Sequence, residues 1–199
     1  MEMKEIRDLA VAAVVLSAVF AFEGFNPGTI SRLPEATLGV TLGFLLHELS
    51  HRFFARRYKC HAEFHLWRTG LILAVLFALV SNGAFVFAAP GAVVIYEAMD
   101  VWGNVKPLGK KRYGIVSIAG PVTNVILAGI FFAANKVYPS SILAPAFTFA
   151  LTVNIWIAIF NMLPVPPLDG SKVFAWDKKI WAAFFAFLIV VFYFALQFL

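Results

Sequence analysis

Apolar residues run in blocks along most of this 199-residue chain, and short polar clusters separate the blocks. A helix needs about 20 such residues to cross a bilayer. Blocks of that kind fall at roughly 8–24, 36–56, 113–136, 142–163 and 180–199. The first is short and follows "MEMKEIRD". No small-residue cleavage site succeeds it, so a retained anchor is expected rather than a signal peptide.

Residues 71–98 fit no single span: they are too long for one crossing and too short for two, and "SNG" and "APG" interrupt them. Within them, "FVFAAPGAVVIY" places the turn pair Pro90-Gly91 between β-branched and aromatic residues, which predicts a β-hairpin over 84–96. A bent pair of short helices is the alternative. A hairpin at membrane depth would have to pack on protein or line a cavity, because lipid cannot satisfy its edge groups. Upstream, "HAEFH" alternates so that His61, Glu63, His65 and Trp67 share one strand face, with Ala62, Phe64 and Leu66 on the other.

Composition supports the membrane reading. The chain is 61% hydrophobic with a mean hydropathy of +0.84, above the roughly 45–50% usual for soluble domains. The expected fold is an α-helical polytopic membrane protein. It would have about five to six transmembrane segments and a membrane-embedded re-entrant or β-hairpin element, in a single domain over 1–199. The net charge of +5 is an orientation signal rather than a nucleic-acid footprint. With a cytoplasmic N-terminus, and with 71–98 returning to its starting side, fourteen of the 16 Lys and Arg lie inside and only Arg32 and Lys136 outside. A single crossing at 71–98 would move Lys106, Lys110, Lys111 and Arg112 outside. The lone cysteine, Cys60, excludes a disulfide framework and a cysteine zinc cage.

Against this background "FLLHELSHRFFARR" stands out. Ionisable residues inside a membrane are costly and point to function. His47-Glu48-Leu49-Ser50-His51 is H-E-x-x-H, which on a helix puts both imidazoles on one face for a single metal ion, with Glu48 beside the first of them. A polar stripe holding helices together is the plainer reading of such residues. Catalytic zinc wants three protein ligands and an open position. His61 and His65 are one source of a third ligand, but they sit among Arg57, Lys59 and Arg68 and read better as a wet interfacial strand. The stronger source is "FNMLPVPPLDGSK". Pro164, Pro166 and Pro167 cannot continue a helix, so an extended chain is expected there, bringing Asp169 out on the side where His51 lies.

Together, "HELSH", "SIAGPVTN" and "NMLPVPPLDG" resemble the site-2 protease family of intramembrane zinc metalloproteases, over a catalytic core of about 36–57 and 113–171. The resemblance implies one Zn2+ per chain held by His47, His51 and Asp169, with Glu48 as catalytic base and Asn161 lining the site toward an oxyanion. It implies a substrate that is itself a transmembrane segment, regulated intramembrane proteolysis, a multi-pass position in the cell membrane, and no nucleic-acid partner; oligomeric state is left open. The family's frequent D-G-G is D-G-S here, with Ser171. No PDZ-like or CBS-like domain fits the length, so a minimal member is expected. Two rivals differ in class: a membrane metal-ion transporter, which would not need Glu48 beside the ligands, and an inactive metal-binding homologue, which would be expected to have lost Glu48 or a ligand. A prenyl-protein type of metalloprotease would take a glutamate as third ligand, for which Glu63 and Glu97 are the plausible residues.

Overall fold

The computed structural model describes residues 2–96 and 108–197. Glu97 and Lys106 lie outside the described residues. The elements are α1 (Met3–Ala21), α2 (Pro27–Arg57), β1 (His61–Leu66), α3 (Arg68–Val80), β2 (Gly91–Tyr96), α4 (Gly109–Val137), α5 (Ala144–Asn161), α6 (Asp169–Trp176) and α7 (Lys178–Leu196).

The centre of the molecule is a contact of three helices along ridges of small side chains. On α2 the ridge is Gly39, Gly43, His47 and His51, each four residues from the last. A Cβ added at Gly39 would lie 2.8 Å from Ala150 Cα, and one at Gly43 would lie 2.8 Å from Asn154 Oδ1. This is the small-xxx-small device that lets membrane helices approach closely. The facing ridge of α5 is Ala146, Ala150, Asn154 and Ala158, and that of α4 is Val116, Gly120, Asn124 and Ala128, all buried. Small residues bring the backbones together, and each ridge carries polar residues at the site.

Among the described residues, α4, α5 and α7 are long and apolar enough to cross a membrane. The blocks at 8–24 and 36–56 also form helices, but charged and polar residues interrupt their apolar runs: α1 opens with four charged residues and α2 carries the polar H-E-x-x-H stretch. The charged start of α1 is helical because Glu5 is used inside the protein. Arg52 Nη1 donates to both Glu5 oxygens at 2.8 and 2.9 Å, and the Phe64 N–H donates to Glu5 Oε1 at 3.1 Å. That cluster ties α1 to α2 and β1. By contrast, only 6% of the apolar span of α7 is buried against the rest of the protein.

The hairpin expectation is corrected. β2 does begin at Gly91, but its antiparallel partner is β1, from His61 opposite Tyr96 to Leu66 opposite Gly91. Residues 84–90 are not a strand. Their aromatic side chains pack elsewhere, Phe85 on Trp156, and Phe87 on Phe77 and Phe160; the Trp156 indole donates to Val86 O at 2.9 Å. The chain leaves the sheet at Leu66, runs out through α3, and comes back to it at Gly91, where Trp67 N–H donates to Pro90 O at 2.8 Å. The predicted alternation of β1 is present, with Ala62 and Phe64 buried and His61 and His65 exposed.

A second correction concerns the prolines. Residues 162–168 form a run of turns and bends rather than an extended segment, and Asp169 is the first residue of a new helix, α6. Proline excludes helix continuation, but its fixed φ suits turns as well as extended chain.

Candidate metal centre

His47 and His51 stand one helical turn apart on the buried ridge of α2, and Asp169 reaches them from the first turn of α6. Asp169 Oδ2 lies 3.2 Å from His47 Nε2 and 2.9 Å from His51 Nε2. All three residues are buried, and their ligand atoms lie within 4.8 Å of one another.

The surrounding hydrogen bonds fix what these atoms can do. Asn124 donates from Nδ2 to Gly43 O at 3.1 Å and to Asn154 Oδ1 at 2.9 Å, so its Oδ1 is the atom turned to His47. A carbonyl oxygen only accepts, so His47 Nδ1 donates to it, at 2.5 Å. His51 Nδ1 likewise donates to Val116 O at 2.7 Å. In the neutral imidazoles both protons are therefore on Nδ1, and both Nε2 lone pairs face the Asp169 carboxylate. Lone pairs in such contact need a proton or a cation between them. Two imidazoles and a carboxylate, each oriented by a further partner, could hold a metal ion and fit the three-ligand set that zinc enzymes use. The third partner is Lys172, whose Nζ donates to Asp169 Oδ1 at 3.1 Å and leaves Oδ2 toward the histidines.

Space for an ion is provided on α4. A Cβ added to Gly120 would fall 2.5 Å from the Nε2 atoms of both His47 and His51. Gly120→Ala should therefore lower zinc affinity by at least the about 10- to 100-fold typical of a disturbed metal surround. Metal analysis of the purified variant, with helicity as the control, tests this; wild-type zinc retention would contradict it.

Glu48 is also buried and lines a small cleft with His51, Asp169, Asn161 and residues Gly91 to Val93 of β2. Asn161 Nδ2 is engaged with its own helix, donating to Ile157 O at 3.0 Å. His61, Glu63 and His65 are not part of this group. They lie on the outer face of the sheet, where His61 donates to Glu63 at 2.8 Å and holds its carboxyl below the usual range. Asn124 and Asn154 were not singled out from sequence, although Asn124 ends the quoted "SIAGPVTN". The signal available was an asparagine recurring in step with small residues on an otherwise apolar helix.

Comparison with known proteins agrees with this chemistry. The chain is 38% identical over 180 residues to a Methanocaldococcus jannaschii protein named "Putative zinc metalloprotease MJ0611", covering 90% of this chain and 87% of that one. It is 27% identical to YwhC of Bacillus subtilis, covering 72% of this chain and 69% of YwhC, and 30% identical to Rip3 of Mycobacterium tuberculosis over 52% of this chain and 29% of Rip3; both bear the same zinc metalloprotease description. Neither a family model nor a solved structure matches. With the buried His-His-Asp group and a relative 38% identical over 90% of this chain, the chain belongs to the site-2 protease family of zinc metalloproteases.

Proposed function

We propose that the protein is an intramembrane endopeptidase that hydrolyses peptide bonds of transmembrane segments, with His47, His51 and Asp169 as zinc ligands and Glu48 as general base. The carrying observation is a buried carboxylate beside the His-His-Asp group, in a cleft bordered by a strand edge. Zinc held there supplies Lewis acidity toward water and a peptide carbonyl. Glu48 takes the proton of the attacking water and passes it to the leaving amine. Asn161, on turning its amide from Ile157 O, donates to the developing oxyanion. A transporter has no use for Glu48 at this place, and an inactive homologue has no reason to retain it together with the three donors.

The topology that goes with this function is five spans, α1, α2, α4, α5 and α7, with a cytoplasmic N-terminus and a re-entrant excursion over 67–90. The distribution of basic residues supports it, as does the return of the chain to β1 at Gly91. The metal then faces the cytoplasmic half of the membrane.

A substrate helix hides its peptide groups and must unwind to be cut; β2 offers the partner for the unwound chain. The Phe64 N–H donates to Glu5, away from β2, so Phe64 and Val93 form a pair that does not exchange hydrogen bonds. The Val93 N–H and C=O therefore point to the free edge of β2, beside the cleft. A substrate added as a strand would meet them there. Val93→Pro removes that donor without removing a bond to β1. Cleavage of a membrane-embedded reporter by the purified protein in liposomes should fall about tenfold or more, as for loss of a main-chain hydrogen bond in the reacting complex, with zinc unchanged. Full activity would remove strand addition, and no cleavage by the wild-type protein would overturn the protease reading.

A further inference from the structure

Glu48 borders two cavities. One is the metal cleft. The other lies behind it, toward α1 and the sheet, and is lined by Glu48, Arg52, Glu5, Ala62, Phe64 and Val93. Its volume is about 10 Å³, roughly the space of one water. Among the described residues, the buried side-chain polar atoms with no hydrogen-bond partner in the protein are Glu48 Oε2 and Arg52 Nε. One is an acceptor and the other a donor. They stand four residues apart on α2, so they share a helix face, and both residues line this cavity. Glu48 and Arg52 are each more than nine-tenths buried. Leaving such atoms unmatched is unfavourable, and buried waters are found where they can satisfy groups of this kind.

We propose that a single water held in this cavity accepts from Arg52 Nε–H and donates to Glu48 Oε2, making Arg52 and Glu5 positioning residues for Glu48. The inference rests on the proposed role of Glu48 as base. Arg52 is held for the task. Its Nη1 is clamped by both oxygens of Glu5, and Glu5 is fixed in turn by the Phe64 N–H. The guanidinium is thus held by a network that reaches α1 and β1. With one carboxylate oxygen anchored by this water, the other is left for the proton of the attacking water. The first turns of α1 then have a purpose beyond anchoring, because they set the orientation of the base.

Arg52→Lys tests this, since lysine keeps a cation for Glu5 but has no counterpart of Nε–H. Zinc content, melting temperature and KM should stay near wild type while kcat falls by about tenfold or more, the effect of losing a hydrogen bond to a charged group. Unchanged kcat would overturn the proposal, because a merely structural ion pair survives in lysine. Should Arg52→Lys not fold, Glu5→Gln serves instead. It keeps an acceptor for the Phe64 N–H but weakens the clamp, so kcat should again fall at constant KM, and an unaltered kcat counts against the idea. A second arm needs no activity: an experimental structure of the zinc-loaded protein that resolves waters should show one within hydrogen-bond distance of both Glu48 Oε2 and Arg52 Nε. A dry cavity overturns the water. Wild-type protein that cleaves nothing overturns the protease reading, whereas activity lost in Glu48→Gln but intact in Arg52→Lys overturns this inference alone.

Discussion

Glu48→Gln should lower cleavage by about 10³-fold, the middle to upper part of what a general base contributes, while zinc content stays at the wild-type level. The two halves of this expectation have separate grounds. Glutamine matches glutamate in shape, so the packing of α2 is retained, but its amide cannot take a proton from water. Glu48 stands outside the group whose ligand atoms converge, His47, His51 and Asp169, so its replacement removes no ligand. Rate constants on a membrane-embedded reporter, set beside elemental analysis of the same preparation, decide the matter. A loss of less than about tenfold would remove Glu48 as the base. Loss of zinc would make it a ligand.

Asp169→Ala should release zinc altogether under dialysis, as should His47→Ala or His51→Ala. The affinity loss should exceed the about 10- to 100-fold that removal of an orienting partner costs, because a ligand is gone and only two donors remain. Asp169 is the more telling position of the three. Its Oδ2 contacts both Nε2 atoms, and it comes from a different part of the chain than the histidines. Replacement of His61 and His65 together is the control. Both are on the outer face of β1, and zinc should be unaffected. Zinc kept in Asp169→Ala and lost in the double variant would reverse the ligand choice.

The H-E-x-x-H stretch was legible because it works through local geometry: i and i+4 on a helix share a face whatever surrounds them. Asp169 was legible as a candidate because the prolines end a helix close to it, though they did not reveal that the same residue starts α6. What the sequence did not disclose was pairing. Strand 61–66 alternates visibly and 91–96 is rich in β-branched and aromatic residues, yet the nearest partner for β2 in the chain is 84–89, and only the packing of Phe85 and Phe87 away from the sheet, Phe85 on Trp156 and Phe87 on Phe77 and Phe160, removes that segment. Asn124 and Asn154 stayed hidden for a related reason. A buried asparagine acquires meaning from the groups it bonds, and those come from three separate helices. Glu5 lies in the polar stretch before the first apolar block, and nothing in "MEMKEIRD" announces a partner 47 residues on.

The separation between His47 and Asp169, 122 positions, has a consequence for the birth of the molecule. A ribosome delivers α2 long before α6. Until α4 arrives, His47 lacks Asn124 and His51 lacks the Val116 carbonyl, and until α6 arrives neither histidine has its carboxylate. From α2 until α6 the nascent chain thus carries the two histidines without the carboxylate that would close the site. On the proposed function, hydrolytic power arises only once α6 has followed α2, α4 and α5 out of the ribosome, a timing that spares the insertion machinery and the neighbouring nascent chains from a protease made in their midst.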